Sequence, residues 1–276
     1  MVHNVFEGVK IADFTWSVAG PWTTRYFGDH GATVIHVESM TYPQADRVDP
    51  PFKDGIAGVN RAGMNLINNP NKFGVSLNLN KPRAIELAEK LICWSDIVIE
   101  SFSPGTMDKW GLGYSRIKEL KPEIIMASLS MQGQSGPHAH CRGFGPHLTS
   151  LSGFASLTGW PDRDPSLLYA AYTDSITPRF LATAIISALD YRRQTGKGQY
   201  LDMSQYECSL HFLSPIILDY RVNQRIMERC GNRSPYAAPH NAYRCKGDDR
   251  WCVIAVGSDE EWQAFCKVTG NPEWTE

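Results

Sequence analysis

The sequence lacks the long apolar run that a membrane-spanning helix requires. Its longest apolar stretches, such as residues 216–218 and 253–256, are far shorter than the roughly 20 residues that cross a bilayer. Residues 1–7 have neither the basic region nor the apolar core of a signal peptide. We therefore expect a cytoplasmic protein with no membrane partner.

A large excess of charge of either sign is also missing. The 276 residues include 27 Lys and Arg against 29 Asp and Glu, which gives a formal net charge of -2. Without a basic surface, a protein has little attraction for the backbone of a nucleic acid. We expect no nucleic-acid partner.

Cysteine pairs and a zinc-binding pattern are absent as well. The seven cysteines are scattered and none forms a Cys-x-x-Cys pair, which favours reduced thiols over a disulfide framework. His138, His140, Cys141 and His147 are close in sequence. Their spacing matches no common zinc site, so the sequence predicts no metal.

The sequence does contain alternating strand-like and helix-like segments. Short apolar runs typical of buried strands occur at residues 9–14, 33–37, 75–79, 96–100, 124–128 and 200–203. Helical spacing of apolar residues occurs at residues 20–29, 82–92, 114–120 and 178–193. Strands that alternate with helices favour a parallel sheet covered on both faces. The predicted fold is therefore α/β, with a Rossmann-like parallel sheet flanked by helices.

The segments that follow the last of these strands predict a second, smaller domain. A helix over residues 204–223 is expected to bend at Pro215. Residues 242–245 and 251–256 have the pattern of two strands joined by a turn. We predict a large α/β domain over residues 1–225, a linker over residues 226–240 and a partial small α+β domain over residues 241–276.

The segment around Asp174 combines an acid with a predicted helix start. An apolar, strand-like run precedes Asp174, and Pro178 is expected to begin a helix after it. Free backbone N–H groups and the positive end of the helix dipole favour the ionised form of an acid there. An ionised carboxylate is available as a nucleophile at neutral pH. The alternative is that Asp174 only caps the helix, since Asp is a preferred N-cap residue.

Two further segments join the end of a predicted strand to a polar turn. Residues 13–21 run from the first strand into a helix N-terminus, which is a natural place for a phosphate group. Residues 99–111 place Ser101 and Phe102 at the carboxyl end of a strand, where ligands bind in open α/β sheets. Neither segment has the glycine spacing of a dinucleotide site, so a nicotinamide-dependent oxidoreductase is disfavoured.

A set of short motifs runs through the chain from about residue 8 to residue 269. The motifs are Ala-Asp-Phe at residues 12–14, Ala-Gly-Pro at 19–21, Gly-Ala-Thr-Val-Ile-His-Val-Glu at 31–38, Asn-Lys at 71–72, Ser-Leu-Asn-Leu at 76–79, Glu-Ser-Phe-Ser-Pro-Gly at 100–105, Asp174, Thr-Gly-Lys-Gly at 195–198, Gly-Asn-Arg at 231–233 and Ala-Pro-His at 238–240. In this order and spacing, they resemble the family III CoA-transferases, the group of formyl-CoA transferase and carnitine CoA-transferase.

The resemblance implies a CoA-transferase with Asp174 as the covalent nucleophile. The Asp174 carboxylate attacks an acyl-CoA thioester to form a mixed anhydride, and CoA thiolate then attacks the aspartyl carbonyl to form an aspartyl-CoA thioester. A second carboxylic acid takes up the CoA through a second anhydride. The implied partners are an acyl-CoA and a carboxylic acid, with the coenzyme A thioester as substrate and no tightly bound cofactor.

The resemblance also assigns residues to the path of CoA. The positions near the thioester are Trp16, Val18 and Ala19. Those at the adenine end are Ser101 and Phe102. Those near the CoA phosphates are Lys109, Arg142 and Lys72.

Members of this family extend further at the carboxyl end and resemble two interlocked rings. The chain is therefore expected to be C-terminally truncated, or to be a fragment whose remainder lies on another chain. The implied assembly is an interlocked homodimer, or a hetero-oligomer.

Two alternative functions stay open. An acyl-CoA racemase or epimerase of the same superfamily needs a histidine base after the fourth strand. The matching residue here is Phe144, and His147 lies three residues later. A non-catalytic subunit or fragment would bind CoA without exchanging it. Val18 and Gly145, where formyl-CoA transferases carry polar side chains, favour this second alternative, whereas Asp174 opposes it.

Overall fold

Six short strands form one parallel sheet in the computed structural model, which describes residues 4–168 and 171–275. The strands are β1 (Lys10–Phe14), β2 (Thr33–Glu38), β3 (Lys72–Ser76), β4 (Ile97–Glu100), β5 (Ile125–Ser130) and β6 (Tyr200–Ser204). Their order across the sheet is β3-β2-β1-β4-β5-β6, and each neighbouring pair is parallel. The predicted α/β class with a Rossmann-like parallel sheet is confirmed.

Helices connect and cover these strands. In the described parts of the chain they are α1 (Ala19–Asp29), α2 (Ala45–Val48), α3 (Gly63–Asn68), α4 (Pro82–Trp94), α5 (Thr106–Lys109), α6 (Tyr114–Leu120), α7 (Gly145–Leu151), α8 (Phe154–Leu157), α9 (Tyr172–Thr195), α10 (Gln205–Phe212), α11 (Ser214–Asn223) and α12 (Asp259–Thr269), with short 3₁₀ turns at Lys53–Gly55 and Pro272–Thr275. Among these helices, none combines the length and the apolar character that a membrane crossing needs.

The central strands are buried because helices cover both faces of the sheet. Along β4, Ile97 and Ile99 pack into one apolar cluster and Val98 packs into the other, since successive side chains of a strand point to opposite faces. Side chains of α1 and α9 belong to the first cluster, and side chains of α4 and α6 belong to the second. A strand covered on both faces requires an unbroken apolar run, which is the pattern that β4 has.

Contacts divide the chain into two units. The described residues of the first unit lie within Met1–Ser152 and Tyr169–Ser214, and those of the second lie within Gly153–Leu168 and Pro215–Glu276. The predicted domain boundaries differ from this division. Residues 153–168 group with the carboxyl-terminal part of the chain, and the second unit resumes at Pro215 rather than after residue 225.

The second unit holds a small antiparallel sheet. Its two strands are β7 (His240–Arg244) and β8 (Trp251–Ala255). Helix α12 follows, and its N-cap residue Ser258 accepts a hydrogen bond from the backbone N–H of Glu261 at 3.3 Å. The hairpin and the capped helix agree with the pattern in the sequence.

The start of α9 differs from the prediction. The helix begins at Tyr172, so Pro178 lies inside it rather than at its start. Because proline has no N–H, residue 178 cannot donate to the backbone carbonyl of Asp174. Of the strand-like run predicted before Asp174, residues 169 and 170 lie outside the described residues.

Two other boundaries also differ. Strand β3 occupies residues 72–76 rather than residues 75–79, and it is partly exposed, as an edge strand is. The helix predicted over residues 204–223 is two helices separated at Leu213. Pro215 lies in the first turn of the second helix, where its missing N–H leaves no helical bond unmade.

Candidate active site

A cavity of about 550 Å³ lies at the carboxyl ends of β1 and β4. These neighbouring strands are the point at which the strand order reverses, and ligands bind at such points in open α/β sheets. The cavity is lined by residues 16–20, 101–104, 106, 109, 129–131 and 139–145, together with Asp174 and Gln205. All of these residues belong to the first unit.

Most of the predicted site residues meet at this cavity. The residues that line it are Trp16, Val18, Ala19, Ser101, Phe102, Lys109, Arg142 and Asp174. Lys72 does not line it. Gln205 does line it and was not predicted, because nothing in the local sequence distinguishes it from any other residue at the start of a helix.

Asp174 lies in the first turn of α9 and is half-buried. Gln205, the first residue of α10, donates from Nε2 to Asp174 Oδ1 at 2.8 Å. Burial raises the pKa of Asp174, and the hydrogen bond from Gln205 opposes that rise. The expectation that the helix start would favour the ionised form is therefore wrong in direction, because loss of water around the carboxylate has the larger effect.

Gly145, the first residue of α7, lies directly against the Asp174 carboxylate. A Cβ atom at position 145 would lie 2.6 Å from Asp174 Oδ2 and 2.5 Å from Ala171 Cβ. Both distances are far below van der Waals contact. Thr173 of α9 also contacts Gly145, since its hydroxyl donates to the Gly145 carbonyl at 3.3 Å. Glycine is therefore required for α7 and α9 to approach this closely.

The turn after β1 is held in an unusual backbone conformation. Ser17 has a φ of 65°, a region that residues other than glycine rarely adopt. Asn68 at the end of α3 donates to the Ser17 carbonyl at 2.9 Å and accepts from Trp22 Nε1 at 2.6 Å. Across the cavity, Ser101 Oγ accepts from the Trp16 N–H at 2.8 Å. The turn is thus fixed from two sides.

Aromatic side chains join the first cavity to a second one of about 280 Å³. Trp16 and Phe102 line both cavities, and their ring centroids are 5.8 Å apart. The second cavity is also lined by Tyr42, Leu77 and Leu79. Sequence reasoning missed these three residues, although Leu77 directly follows β3 at the same edge of the sheet as the strand ends of β1 and β4.

Lys72 is part of a buried ion network instead of the cavity wall. Its ammonium donates to Asp13 Oδ2 at 3.1 Å, to the Pro21 carbonyl at 2.9 Å and to Asn69 Oδ1 at 2.8 Å. The side chain is only 1% exposed. Because three partners within the protein occupy its three N–H groups, the assignment of Lys72 to the CoA phosphates is wrong.

A second buried carboxyl group lies behind the cavity at the end of β4. Burial raises the pKa of Glu100 to about 7, and the nearby carboxylates of Asp202 and Asp108 contribute to the rise. Glu100 Oε2 accepts from the Phe102 N–H at 2.7 Å. This hydrogen bond and one from Ser128 oppose the rise in pKa.

His147, in the first turn of α7, is not placed as a base for proton abstraction, whereas His140 of the preceding loop does line the cavity. His147 does not line the cavity, and its Nδ1 accepts from the Phe144 N–H at 3.1 Å. The His147 imidazole therefore completes the first turn of α7, which disfavours His147 as the base of a racemase. In the described part of the chain, no group of three His, Cys, Asp or Glu side chains is placed to hold a metal ion.

Comparison with known proteins identifies the family of this chain. The model of the family described as CoA-transferase family III matches residues 6–276. The chain belongs to this family.

Two curated relatives in the family illustrate the similarity. The chain is 32% identical over 269 residues to succinyl-CoA:glutarate CoA-transferase of Mus musculus. That match covers 97% of this chain and 60% of the mouse protein. The chain is also 32% identical over 274 residues to succinyl-CoA--D-citramalate CoA-transferase of Chloroflexus aurantiacus. That match covers 97% of this chain and 65% of the Chloroflexus protein. The chain therefore spans somewhat less than two thirds of the length of these relatives.

Among solved structures, a CAIB/BAIF family protein from Brucella suis has the same fold. The two structures superpose with a TM-score of 0.88 at 30% sequence identity, and the match covers 98% of this chain and 71% of that chain. The fold of this chain is thus one with solved members.

Proposed function

We propose that this protein transfers CoA from an acyl-CoA thioester to a carboxylic acid, with Asp174 as the covalent nucleophile. The observation that carries the proposal is the place of Asp174 at the switch-point cavity, where Gln205 holds Oδ1 and Oδ2 lies beside Gly145. Partial burial leaves the Asp174 carboxylate poorly solvated, which favours attack on a thioester.

The two cavities suit the two ends of CoA. The smaller cavity is mostly apolar and has the aromatic side chains Trp16 and Phe102, on which an adenine ring can stack. Lys109 and Arg142 line the larger cavity and supply positive charge for phosphate groups. Val18 and Ala19 line the larger cavity, as Asp174 does. We therefore assign the adenine to the smaller cavity and the thioester to the larger one.

The proposed reaction consists of four acyl-transfer steps. Asp174 Oδ2 attacks the acyl carbonyl, the C–S bond breaks, and CoA leaves as the thiolate. The thiolate then attacks the aspartyl carbonyl of the mixed anhydride and releases the donor carboxylate, which leaves an aspartyl-CoA thioester. The acceptor carboxylate attacks this thioester and expels the thiolate. Finally, the thiolate attacks the acceptor acyl carbonyl and regenerates the Asp174 carboxylate.

The choice of acids follows from the relatives. Both curated relatives described above are named for succinyl-CoA with a dicarboxylic acceptor. We therefore propose short dicarboxylic acids as the first acids to test with this chain. An interlocked homodimer, or a hetero-oligomer, working in the cytoplasm belongs to the same proposal.

The test is to trap the activated aspartyl group. The protein is mixed with succinyl-CoA, quenched with hydroxylamine, digested and analysed by mass spectrometry. We expect a hydroxamate on the peptide that contains Asp174, since both the anhydride and the thioester react with hydroxylamine. The Asp174→Asn variant should show no hydroxamate and no CoA exchange.

A matched control lies on the same helix. Asp190 is exposed on α9, so Asp190→Asn should leave the trapping at Asp174 unchanged. CoA exchange by the wild-type protein without any modification of Asp174 would contradict the proposal. Binding of CoA without exchange or modification would indicate the non-catalytic alternative.

A further inference from the structure

The amide of Gln205 is fixed in place by elements on both sides of it. Gln205 directly follows Ser204, which ends β6 and pairs with Ser130 of β5. The next residue, Tyr206, donates its N–H to the Met131 carbonyl at 3.0 Å. The Gln205 side chain is buried, and its Nε2 lies 2.8 Å from Asp174 Oδ1. A donor held in this way needs no rearrangement during a reaction.

The two oxygens of Asp174 have different fates in the proposed reaction. Oδ2 forms the new bond to the acyl carbon, so Oδ1 becomes the carbonyl oxygen of the anhydride and later of the thioester. When the CoA thiolate attacks the aspartyl carbonyl, negative charge develops on Oδ1. Charge develops on the same atom again when the acceptor carboxylate attacks the thioester.

We propose that Gln205 is a catalytic residue that stabilises the oxyanion on Asp174 Oδ1 in these two middle steps. This inference rests on the function proposed above. The hydrogen bond has the opposite effect on the first step, because there Oδ1 loses negative charge as Asp174 attacks the acyl group. Gln205 therefore favours formation of the aspartyl-CoA thioester and does not favour formation of the anhydride.

The Gln205→Met variant separates the steps, since methionine keeps the shape of the side chain and removes the donor. The variant is mixed with an acyl-CoA that carries one radiolabel in the acyl group and another in CoA, in single-turnover reactions. Protein-bound acyl label reports the anhydride, and protein-bound CoA label reports the thioester. We expect the acyl label to appear at least as fast as in the wild type, and the CoA label to appear about 100-fold to 1,000-fold more slowly.

The pH dependence gives a second readout that a purely structural role would not change. Because the Gln205 hydrogen bond lowers the pKa of Asp174, its removal should shift the acidic limb of anhydride formation to higher pH. The Gln205→Glu variant lacks a donor only when its carboxyl group is ionised, so it should form the thioester slowly at high pH. Gln194→Met is the matched control, since exposed Gln194 donates to Asp190 on α9 at 2.6 Å; it should behave as the wild type.

The outcomes distinguish this inference from the proposed function. If the wild-type protein acquires neither label, the function itself is contradicted. If the wild type acquires both and Gln205→Met acquires both at wild-type rates, only the role of Gln205 is overturned. Equal slowing of both labels in Gln205→Met and Gln205→Glu would also overturn it, because it would indicate loss of general structure at the site.

Discussion

At position 145, the protein has room for hydrogen atoms only. Gly145 faces both the Asp174 carboxylate and Ala171, and any Cβ atom would overlap with them. Formyl-CoA transferases, which the sequence resembles, carry a glutamate at this position. A glutamate cannot be accommodated in this chain without moving α7 away from α9.

The Gly145→Ala substitution tests this contact. The added methyl group should displace Asp174 by a few tenths of an ångström or more, and we expect CoA exchange to fall by about 100-fold. The free energy of unfolding should fall by roughly 1–3 kcal/mol, as is usual for overpacking. Exchange kinetics and denaturant unfolding measure the two effects.

A glycine with ordinary space around it provides the control. A Cβ atom at Gly257 would meet nothing closer than Glu261 Oε2 at 3.6 Å, so Gly257→Ala should change neither quantity. Full exchange activity in Gly145→Ala would mean that the carboxylate does not need its present position.

At the scale of elements, a buried ion network ties together three neighbouring strands. Asp13 of β1 lies within 3.1 Å of Lys72 Nζ of β3 and within 3.0 Å of His36 Nδ1 of β2. Burial tends to raise the pKa of Asp13, but Lys72 and His36 together hold it far below its usual value. Thr24 Oγ1 of α1 also donates to Asp13 Oδ2, at 2.6 Å. The network fixes the start of α1 relative to the sheet.

Loss of the cation from this network should destabilise the fold. Lys72→Met leaves the buried Asp13 carboxylate without its ammonium partner, and we expect the free energy of unfolding to fall by about 3–5 kcal/mol. Adding Asp13→Asn should recover part of the loss, since the unpaired charge is then gone. Guanidinium unfolding of the two variants measures this coupling.

Lys81, which is exposed at the start of α4, is the control for the loss of a surface charge. Lys81→Met should leave the unfolding free energy within about 0.5 kcal/mol of the wild type. A Lys72→Met variant as stable as Lys81→Met, with weaker binding of CoA, would restore the original assignment of Lys72 to the phosphates.

The strands and helices that could be predicted from the sequence are those whose own residues form the apolar pattern of that element. Residues 97–99 are three apolar residues in a row, as a strand buried on both faces requires, and β4 is there. Strand β3 is an edge strand with Phe73 exposed, so no apolar run marked its position. Helix α7 begins in a loop rich in glycine and histidine. Its place depends on packing against α9, which local sequence does not encode.

The same distinction holds for the site. The rule that ligands bind at strand ends located Ser101 and Phe102, because they directly follow β4, whereas Trp16 came from the family resemblance. The partner of Asp174 could not be found in this way, since Gln205 is 31 positions away along the chain. The burial that raises the pKa of Asp174 depends on side chains from several elements. The residues next to Asp174 in sequence therefore predicted a lowered pKa, whereas the pKa is raised.

For the molecule as a whole, Glu100 links stability to pH. The unfolded chain ionises Glu100 near 4.5, whereas burial keeps the folded group protonated to about pH 7. As the pH rises between these values, the unfolded state releases a proton that the folded state retains, so stability falls. Above about pH 7 both states are ionised, and the full penalty of roughly 3 kcal/mol applies.

Glu100→Gln removes this titration while keeping the shape of the side chain. We expect the variant and the wild type to have similar unfolding free energies near pH 4, and the variant to become more stable by up to about 3 kcal/mol at pH 8. Denaturant unfolding across this pH range measures the difference. Glu119→Gln, at an exposed position, should show no such trend, and a Glu100→Gln curve parallel to the wild type would contradict the raised pKa.

The turn at Ser17 has a consequence for how this sequence can diverge. Its conformation depends on Asn68, which also holds Trp22, so three positions in separate segments share one pair of hydrogen bonds. A change of Asn68 removes a partner from both Ser17 and Trp22, and a change of Trp22 removes one from Asn68, whereas Ser17 contributes only the backbone carbonyl that every residue has. Accepted changes at positions 22 and 68 are therefore expected to occur together across lineages, and glycine at position 17, which adopts a positive φ without strain, makes the turn less dependent on Asn68.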